Sequence, residues 1–430
     1  MTIWYLLTAA LLVAVSIKQS GRLLNIVALF IAPYFAIVLL NQYVMSPFFG
    51  FYAISDKVLS MLLMAQIAYF LGAILFIKPK GEARFGAPCD EKFARYHMDY
   101  MTAFLLVVAT ISVARVLYML LSGEFSGRNF DDAEGVAGSG LIGHLMMVGY
   151  AVTPIVFLYG VKKKDPKALA ATALMLVASF STFIKNDIIG LLAAIVIFLS
   201  YTDEKSFKKS IVIAPILVVA VFVLNYLAGF VTRDISIDRS FYFRHLWMYT
   251  GGSLIYDNYI FTIGVRNGVS IFYKLCTFLF ALPNMFTGAL FGFRVFPHEK
   301  QPFYPVEFYG EKSNVVDAIG YLYPCPESTS SIIAFIVVFL CIGALFALLA
   351  EGSFRKNGLY FNTVLAFFLA KFVLLSFFGT FYVNASTWEV LVYCALVPWA
   401  FKRGSRTSEQ ERNAKLAAQR KFVRGAYRGQ

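Results

Sequence analysis

The sequence predicts an all-α polytopic membrane protein with about eleven transmembrane helices and one long outer loop. Hydrophobic residues make up 59% of its 430 residues and charged residues only 15%, whereas about 25% of a soluble domain is charged. Apolar runs of about 20 residues recur along the chain, and each can cross a hydrocarbon core about 30 Å thick. Lysine and arginine gather in every second connection between these runs, as is typical of cytoplasmic loops.

The apolar runs divide into eight segments before the outer loop and three after it. The first run lacks the basic start and the small-residue cleavage site of a signal peptide, so we expect it to remain as a membrane helix. The first eight segments occupy residues 1–230 and are predicted at 2–17, 23–40, 57–77, 99–121, 141–161, 168–184, 188–201 and 211–230. The last three occupy residues 328–401 and are predicted at 328–350, 359–378 and 382–401.

The basic residues predict which helix ends face the cytoplasm. The connections after the first, third, fifth, seventh and ninth segments, together with the tail, hold 25 of the 38 lysines and arginines. The connection at residues 41–56 holds none. We therefore expect the N-terminus outside and the basic tail, residues 402–430, in the cytoplasm, where it would contact anionic lipids.

This sidedness places residues 231–327 in a single outer loop. An unstructured loop of that length is uncommon in a compact protein unless it has a function. Its apolar stretch at residues 272–293 resembles another helix, but one crossing there would move the basic tail outside. We therefore expect this stretch to re-enter the membrane, to cross it twice or to lie in the interface. Pro283, Asn284 and Gly288 favour a broken element, which needs protein or water to satisfy its freed backbone groups.

The outer loop begins with arginines interleaved with aromatic residues. Five arginines and no glutamate lie between positions 233 and 294. Arginine presents a planar fork that fits phosphate oxygens. The alternative is an ordinary interfacial belt, in which Trp, Tyr and Arg lie at headgroup level. The candidate phosphate ligands are Arg233, Arg239, Arg244 and Arg266.

A helix is predicted from about residue 235 to the pair Gly251–Gly252, which is a plausible stop. On such a helix Asp238, Tyr242 and His245 would share one face. The loop then continues with more ionisable residues, which are Asp257, Arg266, Arg294, His298, Glu299, Glu307, Glu311 and Asp317.

Arg115 and Lys371 lie inside predicted membrane helices, towards their outer ends. An ionisable side chain is costly there and usually faces a cavity or a partner. We interpret both as candidate ligands for an anionic substrate. The alternative is a structural ion pair, or a side chain that extends to the interface.

Two stretches carry a family resemblance. Residues 239–259 read RSFYFRHLWMYTGGSLIYDNY, an aromatic and arginine-bearing segment with a Tyr-x-Gly-Gly-like step. Residues 311–351 read EKSNVVDAIGYLYPCPESTSSIIAFIVVFLCIGALFALLAE, an asparagine-bearing stretch that leads into a glycine-bearing helix. With many helices and one long, late outer loop, the chain resembles the O-antigen or oligosaccharide repeat-unit polymerases of bacterial surface-polysaccharide assembly.

The resemblance implies an enzyme that joins repeat units carried on undecaprenyl pyrophosphate, at the outer face of the bacterial cytoplasmic membrane. The arginines, with Arg115 and Lys371, would stabilise the departing pyrophosphate without a metal or cofactor. His245, Asp238 or His298 would act as general base, and Trp247 and Tyr249 would pack against sugar rings. The expected partners are lipid-linked glycans, membrane lipids, a chain-length regulator and a flippase, and not nucleic acid.

Two other functions fit the sequence pattern. An O-antigen ligase would move finished glycan onto its final acceptor, and the sequence discriminates poorly between ligase and polymerase. The third hypothesis is a flippase or other transporter of lipid-linked oligosaccharides. The long outer loop and the lack of a helix-wide internal repeat are less typical of transporters.

Overall fold

Helices make up most of the protein in this computed structural model. The structure describes residues 1–78, 93–122, 140–181, 185–233, 241–262, 270–297, 303–308, 312–324, 327–355 and 359–402. The helices of the first half are α1 (Thr2–Ser20), α2 (Ile26–Leu40), α3 (Ser46–Phe49), α4 (Asp56–Ile74), α5 (Met98–Leu121), α6 (Gly140–Lys163), α7 (Pro166–Ser181), α8 (Lys185–Thr202) and α9 (Glu204–Arg233). Those of the second half are α10 (Phe241–Tyr256), α11 (Asn258–Thr262), α12 (Ile271–Leu279), α13 (Ala281–Phe291), α14 (Ala318–Leu322), α15 (Thr329–Arg355), α16 (Leu359–Phe368) and α17 (Ala385–Ala400).

Irregular helical turns extend two of these helices. A π-helical turn, Asn41–Met45, joins α2 to α3, so the helix runs on where the sequence predicts a loop from residue 41. A second π-helical turn, Leu369–Val373, and a 3-10 turn, Leu374–Phe377, continue α16. A further 3-10 turn spans Phe381–Val383. Two short strands, β1 (Tyr304–Pro305) and β2 (Lys312–Ser313), pair in an antiparallel sheet.

Six helices among the described residues are long and apolar enough to cross a membrane. These are Thr2–Ser20, Ile26–Phe49, Asp56–Ile74, Met98–Met119, Gly140–Lys163 and Thr329–Glu351. This agrees with the predicted class of α-helical membrane protein. All eleven predicted segments contain helix, but three of them form shorter apolar helices of 10–17 residues. At 1.5 Å per residue such helices fall short of a hydrocarbon core about 30 Å thick, and the predicted count of eleven crossings is not confirmed.

Contacts between helix ends define one end of the bundle, here called the basic end. Arg22, after α1, lies 3.7 Å from Glu351 of α15 and 5.9 Å from the centre of the Tyr201 ring at the end of α8. The backbone N–H of His97, before α5, donates to the carbonyl of Phe401 after α17 over 2.9 Å. Several of the predicted basic connections therefore lie together.

The opposite end, here called the polar end, is held together by side chains. Gln42 donates from Nε2 to the Thr2 hydroxyl over 3.3 Å, which joins the π-helical turn to the start of α1. Asn258 accepts the backbone N–H of Ser55 over 2.9 Å, which fixes the start of α11 beside the start of α4. The polar end thus joins the first four helices to the segment after α10.

Helices α4 and α15 approach each other at two glycines. A Cβ added to Gly72 would lie 1.9 Å from the carbonyl oxygen of Leu340, and one added to Gly343 would lie 2.1 Å from the carbonyl oxygen of Tyr69. Small residues allow this kind of close backbone contact between membrane helices. The two glycines therefore set the spacing of this helix pair.

The apolar stretch of the loop forms two helices, α12 and α13, that meet at an angle of 70°. The bend falls at Phe280, before Pro283, which lies in the first turn of α13 where its missing N–H is harmless. Asn284 shapes the chain after α13 instead. Its Oδ1 accepts the N–H groups of Val295 and Phe296, and its Nδ2 donates to the carbonyl of Phe296.

Candidate functional site

Buried charged groups gather towards the polar end. Among the described residues, six that carry a carboxylate or ammonium side chain are at most 8% exposed as whole residues. They are Asp257, Lys274, Glu307, Asp317, Lys371 and Glu389. Ionisable groups inside a membrane protein are costly and usually mark a functional site, so this end of the bundle is the candidate site.

Arg244 of α10 forms a forked ion pair with Glu307. Its Nε donates to Oε2 over 2.9 Å and its Nη2 donates to Oε1. Glu307 is fully buried, whereas the Arg244 side chain is 22% exposed. The chain around Glu307 is fixed because the N–H of Phe308 donates to the carbonyl of Gly50 over 2.9 Å. Arg244, predicted as a phosphate ligand, is thus a cation whose orientation is set by a buried carboxylate.

Trp247, one turn further along α10, is hydrogen-bonded to the first π-helical turn, Asn41–Met45. Its indole Nε1 donates to Oδ1 of Asn41 over 3.0 Å. A Cβ at Gly251 would lie 2.5 Å from the indole ring. The predicted helix stop at Gly251–Gly252 is wrong, because α10 continues to Tyr256. Gly251 serves the packing of Trp247 rather than the end of a helix.

Replacing Gly251 by alanine is expected to displace the Trp247 ring and to break its bond to Asn41. The adjacent Gly252 is the matched control, since its added Cβ would meet no atom closer than 3.6 Å. We expect Gly251→Ala to lower the free energy of unfolding by about 1–3 kcal/mol. Gly252→Ala is expected to leave that free energy unchanged or slightly higher. Tryptophan fluorescence and thermal unfolding in detergent would measure both, and equal effects of the two variants would contradict the packing role.

Tyr249 and Lys371, both predicted site residues, are linked through two phenylalanines. The Tyr249 ring stacks on Phe378 with centroids 6.5 Å apart, and Phe378 lies parallel to Phe381 at 6.3 Å. The Lys371 Nζ lies 5.0 Å from the centre of the Phe381 ring. The structure therefore brings these two candidates to one region, although 122 positions separate them in the sequence.

Lys371 lies in the second π-helical turn, a feature that is frequent at functional sites. Its Nζ is 3.6 Å from Oδ1 of Asp187 at the start of α8. Gly190 makes room for it, because an added Cβ there would lie 2.4 Å from the lysine Cε. Lys371 thus has the ion-pair partner that the alternative interpretation of the sequence anticipates.

Two buried aspartates flank the short helix α14. Asp317 accepts the N–H groups of Ile319 and Gly320 over 2.7 and 3.1 Å and the Tyr34 hydroxyl over 3.0 Å. Asp257 packs against Gly320 of this helix, since an added Cβ would lie 2.3 Å from both of its carboxylate oxygens. Neither aspartate is among the site residues predicted from the sequence. The available signal was an acidic residue directly before an apolar helical stretch, as at an N-cap.

Lys274 is a further residue that sequence reasoning missed. It is 2% exposed, and its Nζ donates to the carbonyl of Tyr323 over 2.7 Å. The ammonium also lies 5.9 Å from the centre of the Tyr321 ring. The signal was present in the sequence, because Lys274 is the one charged residue in the apolar stretch 272–293.

Tyrosine rings form a second aromatic group beside the Arg244–Glu307 pair. Tyr259 and Tyr304 stack with centroids 4.7 Å apart, and Tyr256 lies 5.7 Å from Tyr304. The Tyr259 hydroxyl donates to the carbonyl of Pro305 over 2.7 Å. Partial burial raises the pKa of Tyr259, and the nearby Tyr52 and Tyr304 add to that rise. Planar rings of this kind can pack against sugars.

The structure describes the remaining predicted site residues in less detail. Arg115 is half-buried near the end of α5. Arg233 and His245 are described only in their backbone, as the last residue of α9 and a residue of the first turns of α10. Asp238, Arg239, Arg266 and His298 lie outside the described residues, as does the tail from residue 403.

The arrangement offers cations that could attract an anionic ligand, carboxylates that orient those cations, and aromatic rings that could pack against a sugar. Within the described ranges, no group of three or more His, Cys, Asp or Glu side chains is placed to hold a metal ion. Comparison with protein-family models, curated proteins and solved structures finds no match. A functional assignment therefore depends on the residues themselves.

Proposed function

We propose that the protein polymerises oligosaccharide repeat units carried on undecaprenyl pyrophosphate, at the outer face of the bacterial cytoplasmic membrane. The observation that carries the proposal is the gathering of six buried ionisable side chains towards the polar end, away from the basic end. Basic connections favour the cytoplasmic side, so the polar end is assigned to the outer side. Lipid-linked glycans are displayed on that side.

The topology proposed with this function has eleven crossings, an outer N-terminus and a cytoplasmic tail. The bent pair α12–α13 is assigned as a re-entrant element, because a single crossing there would reverse the sides of all later helices. Its contacts support a place inside the protein. Lys274 bonds to the backbone before α15, and Phe278 lies within 5.4 Å of the rings of Tyr382 and Trp388. Such packing can satisfy a broken helix at membrane depth.

The chemistry requires stabilisation of a leaving pyrophosphate. An acceptor sugar hydroxyl attacks the anomeric carbon of the donor glycan, and the bond from that carbon to the pyrophosphate oxygen breaks. Negative charge then develops on the departing lipid pyrophosphate. Cations oriented in advance in a water-poor site are the most effective means of stabilising such charge. Arg244, held by Glu307, and Lys371, held near Asp187, are the described cations proposed for this role.

Deletion of the gene in the bacterium that carries it is expected to remove long-chain polysaccharide while single repeat units are still made and displayed. Gel analysis of extracted surface glycan would measure the chain-length distribution. Unchanged chain length would refute the proposal, as would a reporter joined after Thr262 that proves to be cytoplasmic. Long polymer retained on its lipid carrier would identify a ligase, and repeat units confined to the inner leaflet would identify a flippase.

A further inference from the structure

A second polar group lies at the same end of the bundle, between α6 and α17. Nδ1 of His144 lies 2.5 Å from Oε1 of Glu389. The hydroxyl of Tyr393, one turn further along α17, donates to the same oxygen over 2.7 Å. The Glu389 side chain is 9% exposed, whereas that of His144 is 51% exposed. A buried carboxylate thus holds one nitrogen of an accessible imidazole.

This geometry prepares a histidine to accept a proton. A carboxylate that accepts the Nδ1–H bond fixes the tautomer in which Nε2 is the free base. The same carboxylate stabilises the imidazolium that forms when Nε2 takes up a proton. Tyr393 restrains the carboxylate, so the imidazole keeps one orientation. The exposure of His144 leaves its ring open to a reactant.

The pair lies next to the Lys371 region. A small cavity is lined by Lys371 and Asp187, by Met147 of α6 and by Thr387 of α17. Met147 follows His144 by three residues and Thr387 precedes Glu389 by two, so each lies within one helical turn of the pair. His144 and Glu389 therefore lie within one helical turn of residues that line the same cavity as Lys371.

We propose that His144 is the general base of the polymerisation and that Glu389 is its positioning residue, an inference that rests on the proposed function. Nε2 of His144 takes the proton from the acceptor sugar hydroxyl as its oxygen bonds to the anomeric carbon. The bond to the pyrophosphate oxygen breaks, and the lipid pyrophosphate leaves with the electron pair. The proton then passes from His144 to solvent, which restores the free base.

The competing explanation is a structural ion pair that only joins α6 to α17, and matched variants separate the two. His144→Asn places an amide nitrogen near the Nδ1 position, which keeps a donor for Glu389 and removes the base. Lys162→Gln is the control, since Lys162 also lies on α6 and its Nζ bonds to Asp203 over 2.5 Å at the basic end. It removes an ion pair of the same helix away from the proposed base.

The assay measures the rate of glycosidic bond formation by full-length protein in liposomes that contain lipid-linked repeat units. A general base contributes about 10²–10⁴-fold, so His144→Asn is expected to lower kcat by about that factor with little change in KM. Glu389→Gln is expected to lower kcat, again with KM nearly unchanged, and Lys162→Gln to retain the rate. Imidazole added to His144→Ala is expected to restore part of the rate.

Two results would overturn the assignment of the base. One is a rate for His144→Asn within about threefold of the unmodified protein. The other, decisive if His144→Asn fails to fold, is a kcat for Glu389→Gln equal to that of the unmodified protein. Failure of the proposed function looks different, because the unmodified protein would then form no bond between repeat units. A protein that polymerises normally with either variant refutes only the role of His144.

Discussion

Replacing Arg244 by alanine is expected to abolish long-chain polysaccharide and to destabilise the protein. The change leaves the fully buried Glu307 carboxylate without its forked partner. Breaking a buried ion pair by removing one partner typically costs about 3–5 kcal/mol, and the partial exposure of Arg244 favours the lower end of that range. Extracted glycan on a gel and thermal unfolding in detergent measure the two effects.

A double variant separates the two effects. Arg244→Met with Glu307→Leu replaces the ion pair by apolar side chains, which often restores or raises stability. We expect this variant to unfold at about the temperature of the unmodified protein and still to make no polymer. A normal ladder of chain lengths from the double variant would remove Arg244 from the proposed site and leave it a structural role. Arg244→Lys tests the fork itself, because lysine keeps the charge without bidentate geometry.

Replacing Gly343 or Gly72 by alanine is expected to prevent close packing of α4 against α15. The new methyl group would meet a backbone carbonyl at 1.9–2.1 Å in each case, and a backbone group inside a helix cannot rotate away. Overpacking typically costs about 1–3 kcal/mol, and we expect the upper end here because two whole helices must separate. The measurement is the unfolding temperature and the yield of monodisperse protein in detergent.

Gly288→Ala is the control for this pair, since its added Cβ would lie no closer than 3.6 Å to its neighbours. We expect that variant to match the unmodified protein in yield and unfolding temperature. If Gly72→Ala and Gly343→Ala matched it as well, the close approach of α4 and α15 would not be needed for assembly.

Helix positions are predictable here where the cause is local. The runs that form α1 and α4 contain about 19 consecutive residues that are mostly apolar, and that property can be read without knowledge of any other segment. The π-helical turn at Asn41 could not be read in this way. Polar Asn41 and Gln42 indicate the end of a helix, yet the chain stays helical. Asn41 is held by Trp247, 206 positions away.

The candidate site likewise combines features that the local sequence predicts with features that depend on distant contacts. Chemical type alone identified Arg244 and Lys371, because charges are rare in apolar or aromatic surroundings. Their partners could not be predicted, since Glu307 lies 63 positions from Arg244 and Asp187 lies in a different helix from Lys371. His144 also went unselected, because its polar partner Glu389 lies 245 positions away. Sequence patterns identify the ionisable residues, whereas the fold determines which of them form ion pairs.

The pairing of Arg244 with Glu307 has a consequence for ligand selection. An arginine already matched by a carboxylate offers little attraction to a neutral or singly charged solute. A diphosphate carries more negative charge than one carboxylate, so it can be attracted to the guanidinium while Glu307 still holds that group in place. Under the proposed function, the pair would discriminate against weakly charged molecules, and the lipid carrier would be selected by its diphosphate independently of its sugars.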